Sequence, residues 1–284
     1  MLEINGAGLG FTGAAPNEEG QESGSTLKID GTGFLEVKGG FYAAAMGAGY
    51  GYGYNNNALG QVSNIIINSG KIHCESGMHG AIIGPCLGGS SKNITINGGS
   101  ISSTTLTAYK YGIIGSNVVI NGGKIEINGG VESGSIIQGE KIEINGGTIN
   151  AQSSINGVIK CSKSGGIEIT GGNILARGKN LSIAAYEEGT SNLTAYNPND
   201  SINNLYETKI KLQGVEKDKQ ITKLTTSDNI NYGIKDMYTL EDGMLYLYLP
   251  LGTRTINVEV DGNTYSGTGE TKETAEVVTL NKVN

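Results

Sequence analysis

The stretch ITINGGSI, residues 94–101, combines two signals. Ile94 and Ile96 alternate with Thr95 as in a half-buried strand, and an Asn-Gly-Gly corner then leads straight into a second apolar start at Ile101. Close relatives recur as IINSGKI (66–72), VINGGKI (119–125), EINGGTI (143–149) and EITGGNI (168–174). Their second glycines, Gly70, Gly99, Gly123, Gly147 and Gly172, are separated by 29, 24, 24 and 25 residues. An earlier VKGGF places Gly40 a further 30 residues back. A fixed period of this size is the mark of a repeat architecture.

A second element, GAIIGPC, YGIIGS, GSIIQG or GVIKCS, falls between these marks, so each unit holds three short β-rich runs. No helical periodicity or leucine-rich pattern is present. Three strands per coil, with glycines at the corners, predict an all-β chain whose residues 1–198 form a parallel β-helix with coils of about 24 residues. Ile96, Ile120, Ile144 and Ile169 should then superpose in one interior row. Asn97, Asn121 and Asn145, with Asn68 before and Thr170 after, occupy equivalent positions and predict a stacked amide ladder at one corner.

The pattern stops near Asn197–Pro198–Asn199–Asp200, a turn or linker signal. Beyond it glycine thins, and TKIKLQG, MLYLYLP, TINVEVDG and AEVVTL alternate between turns. Residues 199–284 therefore read as a small antiparallel β-sandwich, Ig-like or prealbumin-like.

The 284 residues carry 47 glycines but 4 prolines, which fits neither collagen nor a proline-rich disordered tract. A net charge of −7 argues against a nucleic-acid partner. No apolar run reaches the roughly 18–20 residues that would cross a membrane, so no membrane insertion is expected. Cys74, Cys86 and Cys161 form an odd set without a CxxC pair, which reads as buried thiols. The chain opens on LEINGAGLG, which looks like the middle of a repeat, so a fragment of a longer protein is expected and a missing signal peptide says little about location.

Catalysis on a β-helix commonly uses clustered carboxylates with a basic partner. The repeat region has a single aspartate, Asp30, and a single arginine, Arg177, so no enzyme activity is expected and no catalytic residue is assigned. Glu143 and Glu168 share a register and would stack outward, either as a carboxylate pair or as a solvated face near Lys141 and Lys163. The run KIHCESGMH (71–79) contains both histidines, His73 and His79, beside Cys74 and Glu75. Strand alternation accounts for the first three residues without a metal, and no fourth ligand is evident, so no metal is assigned.

The candidate binding residues are aromatic. In AGYGYGYNNN (48–57), Tyr50, Tyr52 and Tyr54 project to one side if extended, with Asn55, Asn56 and Asn57 beside them. Such rings stack on the C–H faces of sugars while the amides bond hydroxyls. Tyr109 and Tyr111, two coils on, would extend the strip. Alternatively the loop folds over and its tyrosines plug the terminal coils.

The repeat ITINGGSI…GIIG resembles the glycine-rich repeats of large Gram-positive surface proteins. It is similar, less closely, to the cellulose- and pectin-binding β-helix family of clostridial cell surfaces, over residues 1 to about 190. The resemblance implies a secreted or wall-attached, non-catalytic module that binds a polysaccharide or cell-surface glycan. Some members of the second family hold structural calcium, but this chain lacks their aspartate-rich segments, and no cofactor is assigned. DGMLYLYLPLGTRTINVEVDGNTYSG (242–267) resembles the closing hairpin of carboxypeptidase-regulatory-like and Cna-B-like domains, which act as spacers or end-caps. A structural stalk, a phage tail or receptor-binding β-helix, and a polysaccharide lyase or hydrolase are the competing readings.

Overall fold

The computed structural model describes residues 9–11, 25–51, 58–59, 61–86, 89–103, 111–129, 134–154, 157–162, 166–179, 182–186, 193–196 and 205–283. The chain winds as a parallel β-solenoid with three faces. After β1 (Leu9–Phe11), one circuit comprises β2 (Thr26–Ile29), β3 (Phe34–Lys38) and β4 (Met46–Ala48). A short antiparallel pair, β5 (Tyr50–Gly51) with β6 (Ala58–Leu59), follows it. The next circuits are β7 (Gln61–Ile67), β8 (Lys71–Glu75) and β9 (Ala81–Gly84), then β10 (Ser90–Ile96), β11 (Ser100–Ser103) and β12 (Tyr111–Ile114). They continue as β13 (Asn117–Ile120), β14 (Lys124–Gly129) and β15 (Ile137–Gly139). In the last two circuits one strand rounds the Asn/Thr-Gly-Gly corner: β16 (Lys141–Ser153) with β17 (Ile159–Cys161), then β18 (Ile167–Arg177) with β19 (Ile183–Tyr186). β20 (Leu193–Tyr196) turns back antiparallel on β19.

The interior row is as the repeat spacing predicts. Ile96 pairs with Ile120, Ile120 with Ile144 and Ile144 with Ile169, and all four are buried. Ile72, Ile101, Ile125, Ile149 and Ile174 form the matching row on the second face, and Met46, Ile83, Ile113, Ile137, Ile159 and Ile183 on the third. Each such side chain contributes roughly 1.5–3 kcal/mol of burial. The repetition rather than any single contact therefore holds the coil together. Cys74, Cys86 and Cys161 are buried and form no disulfide among the described residues, and burial pushes the Cys74 thiol up to about 12.

The amide ladder is present and longer than its sequence signal. Asn97 donates to Asn68, Asn121 to Asn97 and Asn145 to Asn121, at 2.9, 2.9 and 3.0 Å. Thr170 Oγ1 closes one end on Asn145 Oδ1 at 2.7 Å, and Asn68 donates to Asp30 at the other. A second ladder, Asn117 to Asn93 to Asn64, runs along the start of the first face. The two glycines of each corner answer different demands. The second adopts positive φ, 88° at Gly99 to 100° at Gly70. The first passes too close to its neighbours for a side chain: a Cβ on Gly122 would stand 2.9 Å from Asn97 O and 2.7 Å from Asp236 Oδ2.

One alignment needs correction. Ile29 pairs with Ile67 and Phe34 with Lys71, so the first-circuit counterpart of Asn-Ser-Gly is Asp30–Gly31, not the glycine pair of VKGGF. Gly39 and Gly40 sit at the following corner, where Gly39 N donates to Glu75 O.

The C-terminal unit is a separate curled sheet of six strands. In chain order these are β21 (Tyr206–Leu212), β22 (Ile221–Thr226), β23 (Met244–Leu249), β24 (Gly252–Val260), β25 (Asn263–Thr271) and β26 (Val277–Lys282). The spatial order is β22-β24-β25-β26-β21-β23. Its ladders are antiparallel except that of β21 with β26, so the sheet is mixed. It closes around its own core of Ile210, Leu224, Met237, Leu247, Val258 and Leu280. Tyr248 instead belongs to the solenoid core. β23 packs against β18, where buried Asn173 donates to Tyr238 O and Met244 O and accepts from Tyr246 N. The last circuit would otherwise present an open strand edge, and repeat stacks need such an end covered.

Candidate functional site

An aromatic cluster lies at the corner between the second and third faces of the described solenoid. Phe41 and Tyr42 come from the turn joining β3 to β4, Met78 and His79 from the turn joining β8 to β9. The Tyr42 and His79 rings stack with centroids 5.7 Å apart and planes 29° apart, and Phe41 meets Tyr42 edge-on at 4.6 Å. Phe41 is 43% exposed and Met78 40%. The backbone beneath explains the crowding: a Cβ on Gly77 would collide with Gly40 O, and one on Gly80 with Ala43 O. Successive turns therefore nest, and the residues between the glycines are pushed outward. His79 holds φ 65°, a left-handed conformation that histidine tolerates better than a branched residue would.

Beside this corner, the outer surface of the second face carries polar side chains in register. Glu36 pairs with His73, His73 with Ser102 and Ser102 with Glu126. His73 Nδ1 lies 3.0 Å from Ser102 Oγ. Lys38 and Glu75 form a 3.0 Å ion pair, and Phe34 at the end of the face is 68% exposed. A shallow depression of about 250 Å³ lies in the C-terminal unit, between Val215, Lys219, Asp261 and Tyr265. The second face with its aromatic corner can hold an extended ligand by stacking and side-chain hydrogen bonds.

The sequence candidates fall as follows. Tyr50 opens the short β5–β6 pair directly after β4. Tyr52, Tyr54, Asn55, Asn56, Asn57 and Tyr109 lie outside the described residues. Tyr111 starts β12 opposite Ala81, half-buried, with its ring where a Gly134 side chain would stand. It thus sits at the beginning of the third face, whereas Tyr50 follows the end of that face. Glu143 and Glu168 are in register, and Lys141 pairs with Glu143, whose carboxylate raises the lysine's pKa. Among the described residues, no three of His, Cys, Asp and Glu converge to hold a metal.

Phe41 and Tyr42 were not among the sequence candidates. The signal that finds them is register: Tyr42 stands four residues before Met46, His79 four before Ile83 and Tyr109 four before Ile113, and these three partners share one row. No family model matches the chain, and no match was found among curated proteins or among solved structures.

Proposed function

We propose that the protein is a non-catalytic polysaccharide-binding module of a larger extracellular surface protein. The observation that carries this reading is the cluster of exposed Phe41 with half-buried Tyr42 and His79, beside a polar face in register. Aromatic rings take the apolar faces of sugars, each stacked ring contributing roughly 0.5–1.5 kcal/mol by analogy with aromatic pairs. Hydroxyl, imidazole and carboxylate groups at one-circuit spacing, about 4.8 Å, offer an extended chain repeated hydrogen bonds. Tyr50, directly after β4, opens a second candidate binding element, which Tyr52, Tyr54 and Asn55 to Asn57 continue in sequence. The scarcity of aspartate and arginine in the repeat supports a binding rather than a cleaving role.

Retention on a panel of insoluble and soluble glycans tests the proposal. The wild-type chain should be retained by at least one glycan, and Phe41→Ala with Tyr42→Ala should lose that retention at unchanged melting temperature. A chain that no glycan retains, or a double variant retained like wild type, overturns it. A structural stalk is the second reading, favoured by the regular stacking of the circuits and the covered last circuit.

A further inference from the structure

The corner glycines of three successive circuits each direct an N–H outward, and one short segment of the C-terminal unit takes all three. Gly172 N donates to Gly233 O at 2.8 Å, Gly147 N to Lys235 O at 2.7 Å and Gly123 N to Asp236 Oδ2 at 2.9 Å. Gly233 N donates in turn to Thr170 O at 2.9 Å. Thr148 adds a two-way contact, its hydroxyl donating to Asp236 O at 3.1 Å and accepting from Tyr238 N at 2.7 Å. Tyr232 fixes the start of the segment: its buried hydroxyl donates to Gly172 O and accepts from Tyr248 N. Met237, fully buried in the C-terminal core, fixes the other end.

The segment thus climbs the corner one circuit at a time, toward the N-terminal end of the solenoid. This is more than an end cap requires. The packing of β23 on β18 touches the last circuit, whereas the Asp236 carboxylate reaches the circuit of Gly123, two circuits further in. Lys124, on that same circuit, pairs with Asp218 at 2.6 Å. The missing side chain of Gly122 leaves the space that the Asp236 carboxylate fills.

We propose that residues 232–238 are a clamp that holds the last circuits of the solenoid in register, so that these circuits open only when the clamp lifts. The C-terminal unit then acts as a lock on the coil and not merely as a lid on its end. Native-state hydrogen exchange on the full chain tests this, with Asp236→Gly as the lifting variant. Asp236 holds φ 50°, which glycine adopts freely, so the substitution removes the carboxylate without straining the backbone. Exchange at Gly123 should quicken by about tenfold or more, the factor that one hydrogen bond to a charged group is worth. Amides of β16 and β18 should quicken with it, while those of β7 and β10 keep wild-type rates. Asp236→Asn, which keeps an acceptor and tolerates this φ, should restore the wild-type pattern. The clamp is overturned if the change stays confined to Gly123, if all circuits quicken equally, or if the asparagine variant behaves like the glycine one.

Discussion

Arg177 and Glu207 meet across the junction of the two units in a two-toothed contact, Nη1 to Oε2 at 2.8 Å and Nη2 to Oε1 at 2.9 Å. The Glu207 side chain is wholly buried, with Lys209 Nζ 3.7 Å away, and the guanidinium also lies over the Tyr246 ring at 5.0 Å. Removing the cation alone strands a buried carboxylate, so Arg177→Met should cost about 3–5 kcal/mol. Glu207→Gln should cost less, because the amide keeps an acceptor and Arg177 is partly hydrated. Burial pushes the Glu207 carboxyl up, against the pull of Arg177. The folded state therefore disfavours the ionised form. The stability from this group is largest below the ordinary carboxylate range and declines as pH rises through its raised value. The Arg177→Met penalty should shrink on acidification. Urea melts at about pH 5 and about pH 8 that give equal penalties would contradict this.

Ile120 is fully buried between Ile96 and Ile144. Ile120→Val should cost roughly 0.5–1.5 kcal/mol. Ile120→Asp should unfold the solenoid, because it buries an unpaired charge. Circular dichroism melts check both, and an aspartate variant that melts cooperatively near the wild-type temperature would exclude an inward Ile120.

Asn121 donates to Asn97 and accepts from Asn145, so Asn121→Ala leaves two amides short of a partner, at a cost of about 1–3 kcal/mol. Asn121→Asp keeps the acceptor but sets a carboxylate against Asn97 Oδ1. Protonation gives that side chain a donor again. The aspartate variant should therefore gain stability relative to wild type as pH falls, a trend that alanine cannot show. Parallel pH profiles for the two variants would expose a ladder that contributes nothing.

The Tyr248 hydroxyl is buried and has no hydrogen-bond partner among the described residues. Burial holds its pKa well above the usual phenol value. Tyr248→Phe removes an unsatisfied group and keeps the ring, so the melting temperature should stay level or rise. A loss beyond about 1 kcal/mol would mean that the hydroxyl has a partner in solution.

Replacing Tyr50, Tyr52 and Tyr54 together with alanine separates the two roles open to them. As a sugar platform they should lose glycan retention with little change in melting. As plugs they should lose several kcal/mol, as buried aromatic truncations do. Paired binding and melting measurements decide, and a variant normal in both removes these residues from the binding surface.

The sequence carried the register of the solenoid because Ile96, Ile120 and Ile144 recur at one spacing and Asn97, Asn121 and Asn145 recur with them. It misled at Gly39–Gly40, since a glycine pair marks any tight corner, and the ladder residue Asp30 identifies the right one. The Asn64–Asn93–Asn117 ladder has the same spacing, each member four residues before Asn68, Asn97 or Asn121, but no glycine pair flags it and the series stops at Lys141. Tyr42 and His79 stack across 37 residues, and only the pairing of Met46 with Ile83 brings them together. The parallel pairing of β21 with β26 leaves no local mark at all, since alternation is the same for either strand direction. Nor could the clamp be read, because Lys235 and Asp236 look like an ordinary polar turn.

The amide column that begins at Asp30 and ends at Thr170 has identical joints along its length, each asparagine giving to the circuit before it and receiving from the one after. A structure jointed this way has no intrinsic length. A further circuit slipped in ahead of Asn93 would find a donor above, an acceptor below and an isoleucine row to join. The same insertion between Gly123 and Gly172 would slide the corners out of step with Gly233, Lys235 and Asp236. Growth and shrinkage by duplication are therefore open to the N-terminal part of the coil and closed to the part beneath the C-terminal unit, which makes the molecule extensible at one end and measured at the other.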